Sequence, residues 1–337
     1  NFIGHVLTGQ KRFKEKESKG KRKSEGIYYT PTYIVDYIVK NTVSEYIKGK
    51  SIASINKVKI LDPACGSGSF LIKAFDSLVE ECEKIRKLTY EEKRDLMLNC
   101  IFGVDKDERA VEICKLNLSL KLAETGKKLP EFHNNIKCGD SLIDDKEIAG
   151  DKAFNWHEKF KSIMDNDGFD VVIGNPPYGA EFSDIESEFI LKYYNANQGE
   201  LESFKLFFEK GIQVMKENGL MGFIVPNTWL YISRSSTIRE FILTKTKLID
   251  IVELAKYIFE DAPDMVPAII IFEKENNFKN IEKNECKVKA IQLKGKKEDF
   301  LSNNWRIDST VKQFVWLNNI DKIININLND RTLRLLR

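Results

Sequence analysis

Val58-Lys59-Ile60-Leu61-Asp62-Pro63-Ala64-Cys65-Gly66-Ser67-Gly68-Ser69-Phe70 is the stretch that decides the fold. A short apolar run ends on an acid, passes a Gly-x-Gly turn and enters an amphipathic segment. Gly66 and Gly68 permit a tight turn and close backbone approach to a ligand. A strand feeding a helix this way suits a parallel α/β sheet, which binds ligands outside the carboxyl ends of its strands. The turn is poorly equipped for pyrophosphate. A dinucleotide fold prefers a third glycine where this chain has Leu71, and no Gly-Lys-Ser/Thr closes a phosphate-binding loop.

The pattern continues on both sides. Apolar runs at 101–105, 136–140, 170–174 and 220–225 predict further strands, and 69–88, 107–124 and 203–217 predict helices. Residues 248–254 and 267–273 have no long helical pattern between them and read as an antiparallel hairpin joined to the sheet. A further strand is expected at 287–293, and an inserted helix at 86–97. Upstream, Ile34, Val35, Ile38 and Val39 mark a helix, with Pro31 in its first turn and Thr30 as its N-cap. The fold class expected is α/β with a mostly parallel sheet.

Composition sets limits. The chain has 337 residues, 42% of them hydrophobic, which supports a packed core. Charged residues make up 31%, yet the net charge is only +2, so any basic surface is local. The one strongly basic segment, residues 11–25, reads as a solvated linker or as an arm touching phosphates. Six dispersed cysteines without a Cys-x-x-Cys pair, and three scattered histidines, suggest neither a disulfide framework nor a metal site. No apolar run reaches the ~20 residues that cross a membrane. Without a secretory leader, a cytoplasmic setting is expected. The missing initiator Met is expected of a fragment or a processed start.

Three acids stand at successive strand ends: Asp62, Asp105 and Asp140. Each alone is most often a strand-end cap. Together, beside the Gly-x-Gly turn, they point into one crevice. Asp105 suits ribose hydroxyls, Asp140 an adenine amino group, and Asp62 a cationic amino acid moiety. A nucleoside carrying an amino acid and no phosphate fits that set, and S-adenosylmethionine is such a molecule.

The reacting end is Asp170-Val171-Val172-Ile173-Gly174-Asn175-Pro176-Pro177-Tyr178. An apolar strand runs into a turn rigidified by two prolines. An exocyclic aromatic amine is a weak nucleophile because its lone pair is delocalised. Acceptors on both its hydrogens, the Asn175 side-chain oxygen and the Pro176 carbonyl, pull the nitrogen toward tetrahedral geometry and stabilise the charge that builds there. Tyr178 can stack on the base. A base in duplex DNA reaches such a pocket only when flipped out, and Phe259 is the candidate second aromatic wall. A protein glutamine amide and an RNA guanine amine suit the same tetrapeptide. A DNA-binding scaffold with a silent site is the non-enzymatic alternative. Pro263-Asp264 with Glu273-Lys274 resembles a nuclease site, but the spacing fails at Glu275.

Taken together, these motifs resemble the γ-class N6-adenine DNA methyltransferases, specifically the catalytic domain of type IIG-like restriction–modification enzymes. The resemblance spans the Thr-Pro segment, the loop at 62–70, Asp105, Gly139-Asp140-Ser141, Asn175-Pro176-Pro177-Tyr178, the segment 219–229, and Phe259 leading into 266–272. It implies a Rossmann-like, seven-stranded sheet and S-adenosylmethionine as cofactor. Tyr29, Thr30, Asp62, Ala64, Cys65, Gly66, Gly68, Asp105, Asp140, Ser141, Asn175 and Pro177 are the cofactor-site residues implied, and Phe259 the residue stacked on flipped adenine. Double-stranded DNA is the partner implied, with a nuclease domain or subunit and a target-recognition domain outside this chain. Residues 1–24 are then a linker or the tail of an upstream domain, 25–300 the catalytic domain, and 301–337 a connector toward target recognition. One departure is Glu202-Ser203-Phe204, where the family often has Asp-Leu-Tyr.

Overall fold

The computed structural model describes residues 30–195, 201–259, 263–292, 295 and 297–326. Among these, nine strands form one mixed sheet: β1 (Ile60–Asp62), β2 (Ile101–Asp105), β3 (Ile136–Cys138), β4 (Phe169–Gly174), β5 (Met215–Pro226), β6 (Thr246–Glu253), β7 (Pro267–Lys274), β8 (Glu285–Ala290) and β9 (Ile307–Lys312). Their order is β3-β2-β1-β4-β5-β7-β6-β8-β9. The pairs from β3 to β5 are parallel, and β7 lies antiparallel between β5 and β6. The expected hairpin is therefore present, and β7 inserts into the sheet.

Seven strands were expected, and this sheet has two more. β8 runs parallel to β6, and β9 runs antiparallel to β8 at the edge. β9 reads Ile-Asp-Ser-Thr-Val-Lys, with only Val311 fully buried. An edge strand solvated on one face carries little apolar signal. It lies past residue 300, so the sheet extends into the stretch expected to be connector.

Seven described α-helices have eight residues or more: α1 (Thr32–Val39), α2 (Ser69–Glu83), α3 (Tyr90–Cys100), α4 (Glu108–Lys121), α5 (Asp184–Tyr193), α6 (Ser203–Val214) and α7 (Ser236–Lys245). The inserted helix expected at 86–97 is α3, and its start is fixed by a capping box between Thr89 and Glu92. α5 was not expected; its segment reads as polar, but a Ser183–Glu186 capping box starts it.

Both faces of the sheet are covered, which is why its strands are apolar without strict alternation. Val171 and Ile173 join the core shared with Ile38, Leu71 and Ala74, whereas Val172 faces Phe208 and Trp156 on the other side. The first helix lies directly on β5 because residue 222 is glycine. A Cβ there would stand 2.7 Å from Thr42 Cγ2 and 2.8 Å from Ile38 Cγ2. From β1 the chain winds outward through β2 and β3, then crosses to β4 and β5 on the other side. The crevice between the carboxyl ends of β1 and β4 is the topological switch point, where such sheets bind ligands. No described helix is long and apolar enough to cross a membrane.

Candidate active site

The loop after β1 is shaped by its glycines. Gly66 and Gly68 have φ of +51° and +87°, a region that side chains disfavour. Gly68 also starts α2, and a Cβ there would lie 2.7 Å from Cys114 Sγ on α4. Asp105, at the end of β2, holds the loop from the side: its Oδ2 accepts the Gly66 N–H at 2.8 Å. Its Oδ1 accepts the Asp107 N–H, also at 2.8 Å. These two bonds orient the Asp105 carboxylate beside the glycine loop.

Asp62 is 1% exposed at the end of β1. It accepts the Ala64 N–H at 3.1 Å. Across the switch point it faces Gly174, where a Cβ would sit 2.7 Å from Asp62 Oδ1. Gly174 is thus small because the acid of the neighbouring strand packs on it. Burial pushes the Asp62 carboxyl up to about 8, against the Ala64 bond, and Asp105 adds to the rise. Among the described residues no basic side chain pairs with it. A buried acid in that state suits an arriving cation, which is the test that an amino acid moiety passes here.

Asp140 is buried just past β3. Its Oδ1 accepts the Leu142 N–H at 3.0 Å, and its Oδ2 pairs with Lys106 Nζ at 2.8 Å. Lys106 also reaches Glu186 on α5 at 3.5 Å. Burial alone would lower the Lys106 ammonium pKa, but Asp140 and Glu186 reverse that and raise it. Ser141 donates its hydroxyl to the Pro63 carbonyl at 2.6 Å, tying the end of β3 to the glycine loop. The Cys65 side chain packs against Gly103 under that loop, and its N–H donates to the Val104 carbonyl at 2.9 Å.

At the reacting end, Asn175 is half-buried and donates its side-chain amide to Thr30 Oγ1 at 3.1 Å. The Thr30 hydroxyl therefore does not cap the first helix. The N-cap is Pro31, with no side-chain cap bond. Pro176 is buried, and the Pro177 carbonyl accepts the Ser203 hydroxyl at the start of α6. Tyr178 and Phe259 are both buried and meet at 6.5 Å between ring centroids, inclined by 63°. The rings meet edge to face; sandwiching a base needs them turned parallel.

Contacts thus link Asp62 with Ala64 and Gly174, Asp105 with Gly66, Ser141 with Pro63, Asn175 with Thr30, Pro177 with Ser203, and Tyr178 with Phe259. Tyr29 lies outside the described residues. Sequence reasoning missed Ser203, Lys106 and Glu186. Lys106 directly follows a strand-end acid, a position that could have drawn notice. The contacts of Ser203 and Glu186 exist only in three dimensions. The nuclease-like Glu273-Lys274 lies within β7, where Lys274 Nζ donates to the carbonyls of Ile212 and Met215.

A sheet of this order, with an antiparallel β7 and a glycine loop after β1, defines the fold of S-adenosylmethionine-dependent methyltransferases. Residues 99–259 match the family described as Eco57I restriction-modification methylase, and the chain carries a methylase domain of that family. Residues 55–129 match the RMKL-like methyltransferase domain. The type II restriction enzyme and methyltransferase RM.Eco57I of Escherichia coli is 33% identical over 282 residues, 74% of this chain and 28% of that protein. The type II methyltransferase M.BstVI of Geobacillus stearothermophilus is 27% identical over 293 residues, 86% of this chain and 49% of that protein. The chain thus spans less than half the length of either relative. Among solved structures, a nuclease-deletion mutant of the type ISP enzyme LlaGI with a DNA substrate mimic superposes with a TM-score of 0.67 at 18% identity, covering 91% of this chain and 28% of that one. A modification subunit of a putative type I restriction enzyme from Vibrio vulnificus YJ016 superposes with a TM-score of 0.62 at 20% identity, covering 98% and 66%. At such identity these superpositions speak for the fold alone.

Proposed function

We propose that this chain is the catalytic part of a restriction–modification enzyme that methylates N6 of an adenine flipped out of duplex DNA in the cytoplasm. Residues 25–300 are assigned to methyl transfer, 1–24 to a linker, and 301–337 to the connection toward target recognition. The observation that carries this reading is the meeting at the switch point of Asp62, the glycine loop and the Asn175 turn, with two aromatic rings above.

S-adenosylmethionine, when bound, supplies an electrophilic methyl group on a sulfonium. Asp62 holds the ammonium of its amino acid part, Asp105 its ribose and Asp140 its adenine amine. At the other end, Asn175 Oδ1 and the Pro176 carbonyl accept the two hydrogens of the target amine. They localise its lone pair and stabilise the positive charge that develops on nitrogen. Tyr178 and Phe259 turn parallel to take the base between them. No covalent enzyme intermediate is required.

The test is transfer of labelled methyl from S-adenosylmethionine by the full-length protein. Label is expected in adenine-containing duplex DNA and absent from a duplex with adenine replaced. Label found only in a glutamine-bearing protein or in RNA would overturn the adenine assignment.

A further inference from the structure

We propose that Thr30 and Ser203 are positioning residues that clamp the reacting turn from opposite sides. The turn leaves β4 with two prolines in succession, so residues 176 and 177 have no N–H to anchor it. Its fixed points come from elsewhere. On one side, Thr30 Oγ1 accepts from Asn175 Nδ2 at 3.1 Å. On the other, Ser203 Oγ donates to the Pro177 carbonyl. Both residues are buried, at 5% and 1% exposure.

Each contact has a defined consequence. An asparagine amide can be rotated to present either its oxygen or its nitrogen. Thr30 takes the nitrogen, which aims the oxygen away from Thr30; only the oxygen can accept from a target amine. Ser203 holds the peptide group that follows Pro177, one residue beyond the Pro176 carbonyl that is the second acceptor for that amine. Each hydroxyl bonds to the turn itself, so both act through it. Ser203 stands where the family often has Leu, and Glu202 takes the Asp position. A leucine side chain has no donor for a carbonyl, so this contact belongs to the residue this chain has.

The clamp rests on the function proposed above, and wild-type transfer to adenine tests that function separately. Four full-length variants test the clamp: S203A, S203C, T30V and T30S. Removing either hydroxyl leaves volume nearly intact and loosens the acceptors. The expected result is a fall in kcat of between about tenfold and about a hundredfold for S203A and T30V, with KM for DNA within about threefold of wild type. T30S keeps the hydroxyl and loses less kcat than T30V; S203C, a weaker donor, falls between S203A and wild type. Without cofactor or DNA, amide exchange of the peptide covering 170–182 is faster in S203A than in wild type, while the rest of the sheet is unchanged. If wild type methylates adenine and both S203A and T30V keep kcat within about twofold, the clamp is wrong. Equal exchange at 170–182 in S203A and wild type overturns the part assigned to Ser203. If wild type methylates no adenine, the function is wrong and the exchange experiment still decides the contact.

Discussion

Asp62 and Asp170 are buried acids on neighbouring strands, at opposite edges of the same sheet. Asp170, at the amino end of β4, is 7% exposed and well provided for. Its Oδ1 accepts from Tyr46 Oη at 2.8 Å and Lys216 Nζ at 3.2 Å, and its Oδ2 accepts the Lys59 N–H at 2.7 Å. Asp62, at the carboxyl end of β1, is more buried and receives the Ala64 N–H. Residue type and depth are nearly the same, so the difference lies in what the chain supplies. At the amino edge it completes the charge with its own hydroxyl, amide and ammonium. At the carboxyl edge the acid is left for a ligand to complete. The amino edge is architecture, and the carboxyl edge carries the chemistry.

The strongest way to break that contrast is Asn175→Ala. If the carboxyl edge is chemistry, kcat falls by about a hundredfold or more, as when a preorganised electrostatic partner is removed. The melting temperature and most of the cofactor affinity are retained. Substantial remaining turnover sinks the role of Asn175. Global unfolding of the variant would move this turn to the architectural side.

Next is the pair Asp170→Ala and Asp62→Asn. Removing the Asp170 carboxylate leaves Lys216, Tyr46 Oη and the Lys59 N–H without their acceptor, and unfolding stability is expected to drop by about 3 kcal/mol. Asn at 62 mimics the protonated acid, so stability near pH 4 changes by less than about 1 kcal/mol and the variant is the more stable protein at pH 7, while cofactor affinity falls at least about tenfold. pH sharpens the same point. With its folded pKa raised to about 8, Asp62 keeps in the native state a proton that the unfolded chain releases near pH ~4. Its contribution is therefore full below about pH 4 and is lost as pH rises toward about 8. Thermal melts of the ligand-free protein should show that decline in wild type and a flatter profile in Asp62→Asn. Cofactor binding runs the other way: the ammonium favours ionised Asp62, so affinity rises from pH 6 to pH 8 and binding releases a proton. Parallel melting profiles in the two proteins would remove Asp62 from the titrating site.

How much of this was legible follows the same divide. The strand-end acids, the glycine turn and the Asn175 turn are local patterns, in which each residue's chemistry matches its position on a strand or loop. Their convergence follows from the βαβ order, which the alternation of apolar runs already implied. Ser203 was visible only as a departure from a familiar motif, because its partner is 26 residues away in sequence. Thr30 looked like an N-cap because it precedes Pro31 and a helix; a tertiary contact claimed its hydroxyl instead. β9 escaped because an edge strand with alternate residues in water looks like a loop. The partners of Asp170 come from three separate segments, and no spacing rule connects Tyr46, Lys59 and Lys216.

The smallest effect tests the one place where the contrast blurs. Asp140 lies at the carboxyl edge, yet it already has an internal cation, because Lys106 Nζ stands 2.8 Å from its Oδ2. Lys106 is 59% exposed, so the pair is screened, and its own contribution to stability is about 1 kcal/mol at most. If Asp140 accepts the adenine amine of the cofactor, Lys106 competes with that amine for the same oxygen. Lys106→Met then tightens cofactor binding slightly, by about two- to fivefold, with the larger gain at low salt, where the competing ion pair is strongest. Calorimetric titration at two ionic strengths reads both the sign and the salt dependence. Weaker binding in Lys106→Met would give the opposite assignment: Lys106 itself touches the cofactor, and the ion pair with Asp140 is the means by which the carboxyl edge holds that lysine in place.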